Sequence, residues 1–454
     1  MDGSVMNGPL LSSLAKRADA GRPLRVGLIG AGKFGTMFLS QALRIAGLHV
    51  MGIADLSVDR SRAALQRAAW PDGRIASHAG EAAAYGTTFL TESADELIAC
   101  EGLEVVIEAT GAPAVGIRHA LAAFDHGCHV VMVNVEADVL AGPLLARRAA
   151  KAEVVYTLAY GDQPALICEL VDWARCCGFE VVCAGKGTKY LPAYHASTPQ
   201  TVWEHYGFTP QMVAEGGFNA RMFNSFLDGT KSAIEMAAVA NATGLVPAPE
   251  GLTFPPCGTD QLPAVCKPRD DGGVLARAGT VEVVSSLERD GSAVDRDLRW
   301  GVFVTIRAHS DYVRRCFAEY GMVTDKTGHY AAMFRPYHLV GLELTVSVLR
   351  AGLCGEATGC PGAFRADVAA TAKRDLQAGE VLDGEGGSCV YGTLRPARDS
   401  LERGLLPIGL AHDKKVIRPV AAGATVGWAD VEHAAADPVV QFRRQMERSC
   451  LESM

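Results

Sequence analysis

Leu24-Arg25-Val26-Gly27-Leu28-Ile29-Gly30-Ala31-Gly32-Lys33-Phe34-Gly35 is the stretch on which the reading of this chain turns. Its first six residues form an apolar run of strand length, and a helical pattern from Thr36 to Ala46 follows the glycines. Strand, glycine turn and helix make a site for an anion. Gly30 permits the tight turn and Gly32 lets backbone approach a pyrophosphate. Gly35 lets the helix pack close to the strand, so the free N–H groups around Lys33 and Phe34 face the bound charge. A second strand, Leu48 to Ala54, ends in Asp55. This acid follows the glycines by about twenty residues, the spacing at which a carboxylate meets the adenosine ribose of a dinucleotide.

The identity of that dinucleotide stays open. Asp55 accepts a ribose hydroxyl and repels a phosphate, whereas Ser57, Arg60 and Arg62 can hold one, so NADPH is expected and NADH not excluded. Further along, Glu104 to Gly111, His129 to Asn134 and Val154 to Leu158 read as the fourth, fifth and sixth strands, with helical stretches between them. That alternation predicts a doubly wound parallel sheet of the Rossmann type. Ligands of such sheets sit beyond the carboxyl ends of the strands, which makes Thr110 and Gly111 candidates for the nicotinamide side.

The chain has 454 residues, 49% of them hydrophobic, enough for two or three well-packed domains. Its net charge of −8 offers no general field for nucleic acid or anionic lipid, so an anionic ligand must be met by a local basic pocket. The thirteen cysteines show no CxxC pair or metal spacing and read as reduced thiols. No targeting leader or bilayer-length apolar run is visible. A cytoplasmic protein without membrane or nucleic-acid partners is the expectation, acting as a homodimer on a small molecule.

Four regions are expected: an N-terminal helix or arm (1–20), a dinucleotide-binding domain (21–160), an α+β catalytic domain (161–354) and a small all-β module (355–454). In the third, a strand from Glu180 to Ala184 leads into Gly185-Lys186-Gly187-Thr188-Lys189-Tyr190, a loop whose two lysines could reach one cleft. His195 follows in a dense polar stretch. Asp228 and Lys231 lie at helical spacing, the usual mark of a surface ion pair. Gly258 to Gly273 reads as a loop over the site, and Arg335-Pro336-Tyr337-His338 as the start of a helix from Leu339 to Leu349. Asp162 and Glu235 are the carboxylates nearest motif ends, although no ligand spacing supports them. Past Gly355, short strands alternate with glycine turns.

These residues carry a resemblance. Val26 to Gly35, Glu104 to Gly111 and Asn224 to Lys231 are similar to homoserine dehydrogenases, but Val133-Asn134-Val135-Glu136 stands where those enzymes have a catalytic lysine. Over nearly the whole chain, the sequence resembles the 1-deoxy-D-xylulose 5-phosphate reductoisomerase-like enzymes. These combine a homoserine-dehydrogenase-like architecture with a carboxy-terminal SAF (β-clip) module. The matching stretches are Gly185 to Tyr190, Tyr194 to Pro199, Asn224 to Lys231, Arg335 to His338, Leu376 to Gly387 and Leu406 to His412. The resemblance implies NADPH-dependent conversion of 1-deoxy-D-xylulose 5-phosphate to 2-C-methyl-D-erythritol 4-phosphate, an isoprenoid-precursor reaction, with a divalent cation (Mg or Mn). Lys186, Lys189 and Lys231 would then supply positive charge, and Asp162 and Asp228 carboxylate for metal or proton transfer. His195, Arg335 and His338 would contact phosphate or hydroxyl. The other readings are a plain NAD(P)-dependent dehydrogenase of a hydroxy acid or sugar acid, and a nucleotide-sensing protein without turnover.

Overall fold

The computed structural model describes residues 8–216, 218–433 and 436–451; the opening residues 1–7 of the expected arm lie outside them. Contacts divide the chain into two units, residues up to 166 with 339–360, and residues 167–338 with those from 361 onward.

The first unit is built on seven strands: β1 (Leu24–Ile29), β2 (Leu48–Ala54), β3 (Ile75–Ala76), β4 (Thr88–Thr91), β5 (Val105–Glu108), β6 (His129–Met132) and β7 (Tyr156–Leu158). They pair in the order β3-β4-β2-β1-β5-β6-β7, every pair parallel. Strands covered on both faces need apolar side chains on both, and Val26, Leu28, Val105, Ile107 and Val131 are fully buried. The strand read as the fourth, Glu104 to Gly111, is the fifth, because a two-residue edge strand leaves no pattern in the sequence. The strand order reverses at β1, between β2 and β5. Past the close approach of Gly30 to Ala109, the chain leaving β1 and that leaving β5 part and open a crevice, the place where doubly wound sheets bind ligands.

Residues 339–360 belong to this unit. Leu344, Val348 and Leu349 join its core, and Gly352 packs against Leu24. Thr358 N–H donates to Thr157 Oγ1 (2.8 Å) and Leu158 N–H to the Gly359 carbonyl (2.8 Å). The helix expected from Leu339 is shorter, Thr345–Leu349, and Arg335 ends a strand instead of opening a helix. The boundary expected near 354 accordingly falls inside a segment the first unit holds.

In the second unit, β8 (Glu180–Thr188), β9 (Thr280–Ser285), β10 (Val302–Arg307), β11 (Val323–Thr324) and β12 (Tyr330–Arg335) form a mixed sheet in the order β11-β12-β10-β8-β9. Only β8 and β9 run parallel within it. The expected loop Gly258 to Gly273 is instead part of the core, where Leu262 and Cys266 pack with Val284 and Phe303. Carboxy-terminal strands follow: β13 (Ala366–Ala372), β14 (Val381–Asp383), β15 (Val390–Pro396) and β16 (His412–Lys415), paired β13 with β15 and β14 with β16. They carry two helices as well, Ala397–Arg403 and Pro438–Leu451. This region is fused to the unit by side chains: Asn241, on the helix Thr230–Thr243, accepts from the N–H groups of Arg365 and Ala366 and donates to the Ala366 carbonyl. All thirteen cysteines are free thiols, and no helix of the described residues is long and apolar enough to cross a membrane.

Candidate active site

In the first unit the three glycines of the turn have separate jobs. Gly30 has φ +100°, and a Cβ there would sit 2.6 Å from the Ala109 carbonyl, where the β1 and β5 loops meet. On Gly35 a Cβ would sit 2.5 Å from the Gly30 carbonyl, so that residue sets the close approach of helix Lys33–Ala42 to its strand. Gly32 is different: nothing in the protein lies within 4 Å of a Cβ there. Open space above a glycine at a helix N-terminus is the cradle that a pyrophosphate fills, and the turn fits the dinucleotide. Lys33 and Phe34 form the first turn of that helix. Asp55 Oδ2 accepts the Ala31 N–H (2.7 Å), and its Oδ1 faces Arg60 Nε (3.3 Å). The acid and the arginine expected at the ribose edge thus stand together.

At the end of β5, Glu108 is buried and its Oε1 accepts from the Thr110 hydroxyl (2.5 Å). His119 Nδ1 lies 3.3 Å from the same oxygen, and Asn134 Nδ2 reaches Thr110 Oγ1 at 3.5 Å. Thr110 is therefore held from several sides beside Gly111 (φ +68°). Nothing in the sequence marks Glu108, His119 or Asn134 for this place, since each looks like an ordinary polar residue beside a strand.

In the second unit the two lysines part company. β8 runs through to Thr188, so Lys186 lies in a central strand and not in a loop. Lys189 comes just after the strand ends at Thr188, so the two are not held on one element. Lys186 is buried and paired with Glu235. Lys189 donates to the His205 carbonyl and stands 5.5 Å from the Tyr206 ring centre. Gly185 and Gly187 are small because the Glu282 and Leu298 carbonyls press against them, not to open a cleft. Arg299 also faces Tyr206 (6.0 Å) and lies over Trp300 (4.7 Å). Burial and the charge of Arg299 lower the Lys189 pKa. His338 joins this neighbourhood, its Nδ1 2.7 Å from the Trp300 carbonyl, while Arg335 lies over Tyr337.

Asp228 is no surface ion pair. It is fully buried, its Oδ1 accepts the Thr230 N–H (2.9 Å), and its Oδ2 accepts from Lys373 (2.7 Å). Lys231 lies on the first turn of the next helix. The Asp228 carbonyl meets His195 Nδ1 at 2.7 Å, and His195 Nε2 lies 2.8 Å from the Tyr190 hydroxyl. Tyr190 stacks on Phe254 and His195 on Tyr391, at 3.9 and 4.4 Å. Burial lowers the His195 pKa, against the Asp228 carbonyl bond and with help from Lys373.

The implied metal does not fit. Glu235 is engaged by Lys186, and Asp162 Oδ1 accepts the Gln163 N–H (2.9 Å) at a helix start. Among the described residues no group of three His, Cys, Asp or Glu side chains is arranged to hold an ion.

Residues 26–157 match the family model described as "Homoserine dehydrogenase, NAD binding domain", and residues 161–344 the model described as "Oxidoreductase DRL, catalytic domain". Both descriptions are of oxidoreductase domains, and neither match reaches half of the chain. No curated protein matches it. Among solved structures, the chain resembles yvaA of Bacillus subtilis (16% identity, TM-score 0.25, 37% of this chain and 44% of that one). It also resembles a Lactobacillus casei myo-inositol dehydrogenase in complex with NAD(H) and myo-inositol (14%, TM-score 0.29, 40% and 50%). A probable dehydrogenase of Thermotoga maritima matches at 13%, TM-score 0.37, over 75% of this chain and 91% of its own. The chain spans about half the length of the first two.

Proposed function

We propose that this chain is an NAD(P)-dependent oxidoreductase acting on a small phosphorylated sugar-type substrate bearing a ketone or hydroxyl. The supporting observation is the convergence of Lys189 and Arg299 on the Tyr206 ring, with no carboxylate paired to either among the described residues. A carboxylate substrate needs one cation, whereas a phosphate is best held by several. Tyr206 and Trp300 would hold the two cations in place by their ring faces. Bound nicotinamide supplies or accepts the hydride; the chain's own side chains bind the anion and move a proton at the reacting oxygen.

1-Deoxy-D-xylulose 5-phosphate with NADPH is the first pair to assay, with the product 2-C-methyl-D-erythritol 4-phosphate as the marker of rearrangement. A plain dehydrogenase of a hydroxy acid or sugar acid is the second reading, and the pairing of Glu235 with Lys186 favours it. The test follows the reduced nicotinamide with purified protein, this substrate with and without Mn²⁺, homoserine with NADP, and a panel of sugar acids. Lys189→Ala and Arg299→Ala are each expected to raise KM for a phosphorylated substrate about 10-fold to 100-fold while sparing NADPH affinity. Turnover of unphosphorylated acids alone, indifferent to both variants, overturns the phosphate reading.

A further inference from the structure

Lys373 directly follows β13 and has no local mark of importance, yet its ammonium is fully used. It donates to the Ser197 carbonyl (2.6 Å), the Asp228 carboxylate (2.7 Å) and the Gly387 carbonyl (2.8 Å), and its side chain is only 2% exposed. An ammonium has three protons, so none is left for substrate. What Lys373 fixes is Asp228. With both carboxylate oxygens held, by Lys373 and by the Thr230 N–H, the Asp228 carbonyl has one place to be.

That carbonyl only accepts, so His195 Nδ1 must carry the proton facing it. In the neutral ring Nε2 is then an acceptor, and the Tyr190 hydroxyl donates to it. His195 is not fully buried, and its ring is clamped by Tyr391 on a face and Tyr190 at an edge.

We propose that Lys373 is a positioning residue that holds His195 in the Nδ1–H tautomer, so that His195 Nε2, through the Tyr190 hydroxyl, exchanges the proton of the reacting oxygen. In the oxidative direction the substrate O–H bond breaks and its proton goes to Tyr190, which passes its own to Nε2. The carbinol C–H bond breaks with its electron pair, as hydride, to NAD(P)⁺; the alcohol becomes a carbonyl and the nicotinamide is reduced. Reduction runs the same steps backwards. The inference rests on the oxidoreductase activity and does not depend on the phosphate. The carboxy-terminal region thereby acquires a role in the site, because it delivers Lys373 to Asp228 and holds the ammonium there with the Gly387 carbonyl.

The groups facing His195 are Tyr190 from its own segment, Asp228 from the turn before Thr230–Thr243, Tyr391 from β15 and Lys373 after β13; Arg289 and Glu282 lie beyond Tyr190. Nitrogen-15 NMR of the full chain, with the signal assigned by its loss in His195→Gln, reads tautomer and titration without any substrate. The wild type should show Nδ1–H and titrate below 6.5. Lys373→Met leaves a buried carboxylate without its cation and can fail to fold, so Lys373→Met with Asp228→Asn is the main variant. In it the tautomers should mix and the titration rise towards 6.5, while the NADPH affinity of the first unit is unchanged. Lys373→Arg should restore the wild-type tautomer in part. With a turned-over substrate, the double variant should lose about 10-fold to 100-fold in kcat, with KM within about 3-fold, and its acid limb should move up in pH. An Nε2–H tautomer in the wild type, or an unaltered signal in the folded double variant, overturns the proposal. The expected NMR changes with no loss of kcat on any turned-over substrate would overturn the proton relay, whereas a kcat loss seen on unphosphorylated substrates alone would count against the substrate reading only.

Discussion

The two units differ in how most of their buried carboxylates are met. In the first, Asp138 accepts only the Tyr156 hydroxyl (2.9 Å) and its second oxygen has no partner, while Glu108 is met by a threonine and a histidine. In the second, Glu235 takes Lys186, Asp228 takes Lys373 and Asp367 takes Arg443, each pair buried. A buried charge needs a partner of opposite charge, or it gives up its charge. Asp138 in the first unit and Glu282 in the second are both pushed towards the neutral form by burial, and the second unit is besides laced by ion pairs between segments far apart in the chain. The first unit's turn offers an anion mainly backbone, with Asp55 and Arg60 as its placed charges. The second must fix several side chains at once.

The largest expected break in this contrast is at Lys186. Lys186→Met strands the Glu235 carboxylate and should cost about 3–5 kcal/mol in denaturant unfolding of the second unit, most of it recovered by adding Glu235→Leu. Equal stabilities of the single and double variants would mean the pair holds nothing. Next is Gly32→Val. With space around it inside the protein, the variant should fold, yet lose at least about 100-fold, or ~2.7 kcal/mol, of NADH and NADPH affinity by fluorescence titration. Unchanged affinity would move the cofactor site elsewhere.

The smallest effect, read per pH unit, is a pH slope in the first unit. Burial pushes the Asp138 carboxyl from 3.8 up to about 7, against the Tyr156 hydrogen bond. A raised folded pKa means the folded state binds the proton more tightly. The stabilisation is full below about pH 4, where both states are protonated, and is lost as pH rises towards 7, by at most about 1.4 kcal/mol per pH unit. Asp138→Asn should flatten that slope in urea melts at stepped pH. A slope that survives the substitution belongs to another group.

The glycine turn was legible because its physics is local. Strand, Gly30, Gly32, Gly35, helix and Asp55 are contiguous, and each residue type is dictated by a backbone need that the next few residues reveal. The alternation of strands and helices carried the parallel sheet for the same reason. The substrate half was only partly legible. Lys189, His195, Asp228 and His338 stand out in the sequence as polar residues of one region, but nothing near them along the chain shows their partners.

What the sequence determined by itself, then, is the α/β class, the phosphate turn and the presence of a polar second unit, all properties of near neighbours along the chain. Tertiary structure alone decided that Lys186, on a strand longer than its apolar run, meets Glu235, while Lys189 beyond the strand's end meets the His205 carbonyl. It alone returned residues 339–360 to the first unit. And it alone brought Lys373 to Asp228, across 145 positions. No local pattern encodes that meeting: which distant cation reaches a buried carboxylate depends on the packing of β13 against the helix Thr230–Thr243.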